Sequence, residues 1–171
     1  MNYSVNENET DLNSPFNDYI SDKMAYKVAL IVDKKDNYGF TEGRMCQNSH
    51  ELFEKHRYVD FYLKCYGEID EYYADILRNV RSNKKAIDRC RIIVVSHEKT
   101  KKLTDSVYDG LFDKNQIIET DSQSDLKPED QVNMWLADNC DVVWASVKYL
   151  RSKTYIAKRR AEKNKIPVIE M

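Results

Sequence analysis

Tyr26–Val32 reads YKVALIV, apolar from Val28 onward, with β-branched residues and no polar–apolar alternation. A strand with one wet face alternates. A strand covered on both faces stays apolar throughout, which is how parallel-sheet strands read. Arg91–Val95 (RIIVV) and Val142–Val147 (VVWASV) share the pattern, and shorter strands are expected at Asp60–Leu63 and Pro167–Ile169. Helices are expected between them. Gln47–His56 puts Leu52, Phe53 and His56 on one face, after a polar loop over 33–45 that contains Gly39 and Gly43. Ile69, Tyr73, Ile76, Leu77 and Val80 recur as one stripe of a 3.6-residue period, with Asp70 placed as N-cap. Pro128 suits the first position of a helix whose Val132, Trp135 and Leu136 share a face. Ser152–Asn164 reads as the last helix, with Leu150, Thr154, Ala157 and Ala161 on its small face. The stretch 96–127 reads as irregular, with apolar patches at Tyr108–Phe112 and Ile117–Ile118. Strands alternating with helices predict an α/β fold, a Rossmann-like parallel sheet with helices on both faces and right-handed crossovers.

The chain has 171 residues, which fits one domain and a tail. Residues 1–22 hold five acids and no Lys or Arg, so an acidic, disordered tail is expected over 1–24, ahead of the domain at 25–171. Charged residues make up 33% and mean hydropathy is -0.72, and no apolar run approaches the roughly 20 residues of a membrane helix. The first residues lack the basic start and apolar stretch of a secretory signal, so a cytoplasmic location is expected. Cys46, Cys65, Cys90 and Cys140 form no C-x-x-C pair, and no His falls at zinc-finger spacing from them. Cys90 and Cys140 read as core residues. Neither a metal nor another cofactor is expected.

In an open parallel sheet, ligands bind beyond the carboxyl ends of the strands. The segments there are Asp33–Met45, Lys64–Asp70, Ser96–Lys102 and Lys148–Thr154. Several of the stretches around them carry a likeness: FYLKCYGEID at 61–70, IIVV at 92–95, VNMWLADNCDVVWASV at 132–147 and AEKNKIPVIEM at 161–171. Over residues 26–171 the chain resembles the SLOG superfamily, the Rossmann-like group that includes Lonely Guy phosphoribohydrolases and DprA-type proteins. The nearest look-alikes are small bacterial members. Its most specific parts are the Gly67–Asp70 turn and Asn133-x-Trp135 before a buried strand. The resemblance implies recognition of a nucleotide or nucleotide-derived small molecule, with Lys64, Gly67, Glu68, Asp70, Asn133, Lys148, Arg151, Ser152, Lys153 and Thr154 around the pocket. It also implies a homo-oligomer, and the twelve tyrosines add to that.

The departures are informative. Lys64 stands where the family's first turn has its first glycine, Val132 replaces an Arg, and Ser152 and Lys153 stand at the family's Gly-Gly turn. The Pro-Gly-Gly-x-Gly-Thr motif of the Lonely Guy enzymes is absent. An enzyme that cleaves the N-glycosidic bond of a nucleoside monophosphate is therefore the second reading, and an interaction module without ligand the third. Glu68 and Asp70 are the catalytic candidates, as two carboxylates on a turn. The plainer alternative is that Asp70 caps a helix while Glu68 is solvated. Trp135 reads as core packing. His97 sits at the sheet edge as a candidate base, and a nucleophilic role for Cys65, beside the turn and next to Lys64, would need a nearby His or an electropositive setting.

Residues 148–165 hold eight bases and one acid. A solvated helix face is the main reading of that run. Its first residues are the part available to phosphate, at a helix start whose dipole favours anions. Nucleic acid is disfavoured as a partner by the net charge of -2.

Overall fold

The computed structural model describes residues 25–33, 38–100, 112–119 and 123–171. The expected tail over 1–24 and most of the Tyr108–Phe112 patch lie outside them. In chain order the elements are β1 (Tyr26–Val32), α1 (Tyr38–Lys55), β2 (Val59–Leu63), α2 (Glu68–Asn83), β3 (Cys90–His97), β4 (Lys114–Ile118), α3 (Pro128–Asn139), β5 (Val142–Ser146), α4 (Lys153–Lys163) and β6 (Val168–Glu170). All six strands are parallel, in the order β4-β3-β2-β1-β5-β6. The chain builds outward from β1 to β4, then returns to lay β5 on the other side of β1. The order therefore reverses between β1 and β5. There Val28 faces Phe61 of β2 on one side and Val142 of β5 on the other.

Two-sided burial follows directly from the unbroken apolar runs. Val28, Leu30 and Val32 point to one face of the sheet. There, with Phe61, Leu63, Ile92 and Trp144, they meet Met45 and Phe53 of α1 and Tyr73, Ile76, Leu77 and Val80 of α2. Ala29 and Ile31 point to the other, against Val132, Leu136 and Ala137 of α3 and Ala157 and Ala161 of α4. Small residues on the two helices, Ala137 of α3 and Ala157 and Ala161 of α4, face that second layer. Each large aliphatic side chain buried this way contributes about 1.5–3 kcal/mol. One ion pair is buried beside them: Arg91 on β3 grips its β2 neighbour Asp60 with two hydrogen bonds of 2.9 and 2.6 Å. Among the described residues no helix is long and apolar enough to cross a membrane.

Several sequence expectations are corrected. Helix α1 starts at Tyr38, not Gln47, and takes in most of the expected loop. Its buried line is Thr41, Met45, Ser49 and Phe53, and the two small polar members hide that stripe from a hydrophobicity reading. Strand β4 was hidden too, because KNQII is the polar edge of the sheet and, among the described strands, pairs only with β3. The N-cap of α2 is Gly67, with Asp70 three residues inside the helix. Leu150 is not on the small face of α4. It lies in the preceding loop and is 77% exposed. Pro128 does open α3.

Two helices end in the same way. After α2, Lys85 takes a left-handed φ of 51°, its N–H bonds Ser82 O, and the Ala86 N–H bonds Arg81 O. After α4, Lys165 (φ 61°) and Ile166 repeat the pattern on Glu162 and Ala161. These are Schellman ends in which lysine stands at the position that favours glycine. A Cβ in the left-handed region costs about 1 kcal/mol. Lys85→Gly and Lys165→Gly are therefore each expected to raise stability by about 0.5–1 kcal/mol in urea titrations, additively, since the two ends are independent.

Candidate functional site

The reversal of strand order opens a cleft of about 500 Å³ at the carboxyl ends of β1 and β2 and the loop after β5. Val32 and Asp33 come from the end of β1, and Lys64, Tyr66 and Gly67 from the end of β2. Glu68, Ile69 and Asp70 are the first turn of α2, Glu129 belongs to the first turn of α3, and Tyr149, Ser152 and Thr154 come from the β5–α4 segment. Six of the residues expected from sequence line it together: Lys64, Gly67, Glu68, Asp70, Ser152 and Thr154. Lys148, Arg151 and Lys153 do not form its wall, and the side chains of Arg151 and Lys153 face solvent. Asn133 is not on the wall either. It is fully buried one turn beyond Glu129, with its Oδ1 unpartnered. His97 is also buried, its Nδ1 accepting the Lys99 N–H, and it lies off the cleft.

Lys64 is the centre of the site. The strand end aims its side chain inward, leaving it 8% exposed, and its Nζ donates to Glu129 Oε1 at 2.6 Å. Burial alone would lower the pKa of this ammonium. Asp70, Glu129 and Asp33 more than offset that, and the pKa lies above the ordinary lysine value. Lys64 is thus held charged where the family resemblance places a glycine.

Asp70 has the opposite problem. One oxygen, Oδ2, accepts the Tyr66 N–H at 2.9 Å, while Oδ1 is buried with no partner. Burial pushes its carboxyl up to about 6, against the pull of Lys64 and of the backbone N–H groups. Tyr66 extends the wall toward β3. Its hydroxyl pairs with Thr100 Oγ1 at 2.9 Å, Thr100 donates to the His97 carbonyl, and burial raises the phenol's pKa.

Asp33 closes the other side. Its Oδ1 accepts the Lys148 N–H at 2.6 Å, and its Oδ2 accepts the Ser152 hydroxyl at 2.9 Å. Ser152 is the N-cap of α4 and its Oγ in turn accepts the Tyr155 N–H. Asp33 itself donates its N–H to the Ser146 carbonyl, so the end of β1 is tied to both the end of β5 and the turn beyond it. Sequence reading did not single out Asp33, Tyr66, Glu129 or Tyr149. The available signal was position: Asp33 directly follows a buried strand, and Glu129 directly follows the proline that opens α3.

Gly67 is extended (φ 178°), and a Cβ there would meet no atom within 4 Å. The backbone does not require glycine at this position. Its effect is to leave the cleft floor bare. The cleft as a whole carries four carboxylates, Asp33, Glu68, Asp70 and Glu129, against the single ammonium of Lys64.

The Asp70 carboxyl ties stability to pH. Its folded pKa is about 6 and its ordinary value 3.8, so the folded state holds a proton that the unfolded state releases across that interval. Stability therefore falls as pH rises from about 4 to about 6 and is level above. Asp70→Asn retains an acceptor for Tyr66 and removes the penalty. It is expected to stabilise the protein at pH 7 by about 1–3 kcal/mol, with the gain vanishing near pH 4, as read by urea titration across pH.

No protein-family model matches the chain, and no curated protein matches it.

Proposed function

We propose that this chain recognises a nucleotide or nucleotide-derived small molecule in the cleft between Asp33, Lys64, Asp70, Glu129 and Ser152. The observation that carries the reading is the buried, charged Lys64, paired to Glu129 and set beside an unpartnered Asp70 oxygen at the switch point of a parallel sheet. Switch-point crevices of this fold are where such ligands bind, and the cleft's volume falls within the range of small-molecule sites. The uncompensated Asp70 Oδ1 in the wall favours a polar ligand over apolar filling. The SLOG-like segments at 61–70 and 132–147 support the same ligand class, and a homo-oligomer with it, for which light scattering that returns the mass of one chain would be the contrary result.

A ligand that binds only the folded state raises its apparent stability. A thermal-shift screen of nucleosides, nucleotides, cyclic nucleotides and ADP-ribose derivatives is expected to give at least one stabilising ligand. Lys64→Met preserves the buried stem and removes the ammonium, so it is expected to weaken that ligand about tenfold or more. A screen with no stabilising compound would discard this reading in favour of an interaction module.

A second reading rests on Asp70. A carboxyl with a pKa of about 6 can give and take a proton near neutral pH, which suits cleavage of an N-glycosidic bond. Release of free base from nucleosides or their monophosphates, lost in Asp70→Asn, is the expected sign of that activity. Unchanged turnover in Asp70→Asn would remove Asp70 from it.

A further inference from the structure

The β5–α4 turn has the parts of an anion seat. The Lys148 N–H and the Ser152 hydroxyl converge on one point at the start of the 11-residue helix α4, where the helix dipole also favours negative charge. That point holds a carboxylate of the chain itself. Asp33 puts one oxygen on each donor, at 2.6 and 2.9 Å, and is anchored there because its backbone continues β1 and bonds Ser146. A phosphate on this turn would have to displace Asp33 or sit against its charge.

The rest of the wall points the same way. Glu68, Asp70 and Glu129 add further acceptors, and Lys64 already donates to Glu129. Asp70 Oδ1, on a side chain only 3% exposed, is an acceptor with no donor. A vicinal diol brings further donors to such a wall: each hydroxyl can give its proton to a carboxylate oxygen while taking one from the remaining N–H groups of Lys64. A neutral diol also avoids the repulsion that a phosphate dianion would meet from the carboxylates. Tyr149 and Tyr66 are also on the wall, Tyr149 with the Lys148 ammonium 5.1 Å from its ring centroid.

We propose that Asp33 acts as a built-in substitute for phosphate, and that the cleft selects the unphosphorylated, nucleoside form of its ligand through the ribose diol. The inference rests on the reading of the cleft as a nucleotide-derived ligand site. Asp33 is then a specificity-determining residue, excluding nucleotides by charge while holding the turn in place.

The test is isothermal titration of the full chain with each of the four common ribonucleosides, the matching 5′-monophosphates and inorganic phosphate. It is run on the unaltered protein, Asp33→Asn and Asp33→Ala. The unaltered protein is expected to bind its preferred nucleoside about tenfold or more tighter than the matching monophosphate, and to give no heat with inorganic phosphate at millimolar concentration. Asp33→Ala frees the two donors and is expected to bind inorganic phosphate and to lose or reverse the preference. Asp33→Asn keeps the turn filled but uncharged. It is expected to narrow the preference, and it serves if Asp33→Ala fails to fold. Monophosphates bound as tightly as nucleosides by the unaltered protein would overturn the inference and leave the ligand class standing. A nucleoside preference unchanged in both variants would overturn the role of Asp33. Binding of none of these compounds by the unaltered protein would overturn the inference, while the wider thermal-shift screen decides the ligand class.

Discussion

The burial of β1 on both faces and along both edges is the constraint from which the other features follow. Val28 through Val32 have no exposed side, so α1 and α2 must cover one face and α3 and α4 the other. Hydrogen bonding to β2 and β5 occupies both edges of the strand. Its last residue, Val32, pairs with Ser146, the last of β5, and the next residue, Asp33, emerges between the β2–α2 turn and the β5–α4 turn. The cleft is where that enclosed strand comes out.

Polar groups in the cleft are placed by helix starts. Gly67, Lys127 and Ser152 are the N-caps of α2, α3 and α4, and each leads a first turn that supplies wall residues. Unpaired backbone N–H groups at such ends attract negative charge. In the turns that lead into two of these helices the chain's own carboxylates take backbone donors: Asp70 the Tyr66 N–H and Asp33 the Lys148 N–H. Glu129 instead pairs with Lys64. The outcome is a cleft that is internally braced, acidic on balance, and still short of a donor at Asp70 Oδ1. A carboxyl whose ionisation is opposed by its surroundings is a destabilising element, and such elements are commonly retained at functional positions.

The bases of the last helix illustrate how charge can mislead. Read along the chain, residues 148–165 look like a cationic surface. In the fold, Arg160 lies on Asp138 with bonds of 2.6 and 2.7 Å, Lys158 on Glu170 and Arg159 on Glu162. Three of the eight bases are thus paired, two of them with acids outside the run, and the cation on the cleft wall is Lys64, from another element.

Apolar periodicity alone determined the strands β1, β3 and β5, the stripe of α2 and the parallel α/β class, because two-sided burial requires unbroken apolar runs and a helix requires a 3.6-residue stripe. Lys64, Gly67, Glu68, Asp70, Ser152 and Thr154 were legible as neighbours for a related reason: they flank strand ends, and parallel strands bring their ends to one edge. Tertiary structure decided the remainder. Strand β4, mostly polar, and the first half of α1, with no continuous apolar stripe, owe their place to β3 and to the Met45 side of the core. Asp33 meets Ser152 across 119 positions of chain, a pairing that no local pattern encodes. Whether a carboxylate caps, clamps or stays unpaired depends on which donors the fold brings within 3 Å. For Asp33 and Asp70 those donors are fixed by how β1, β2 and β5 pack and end together.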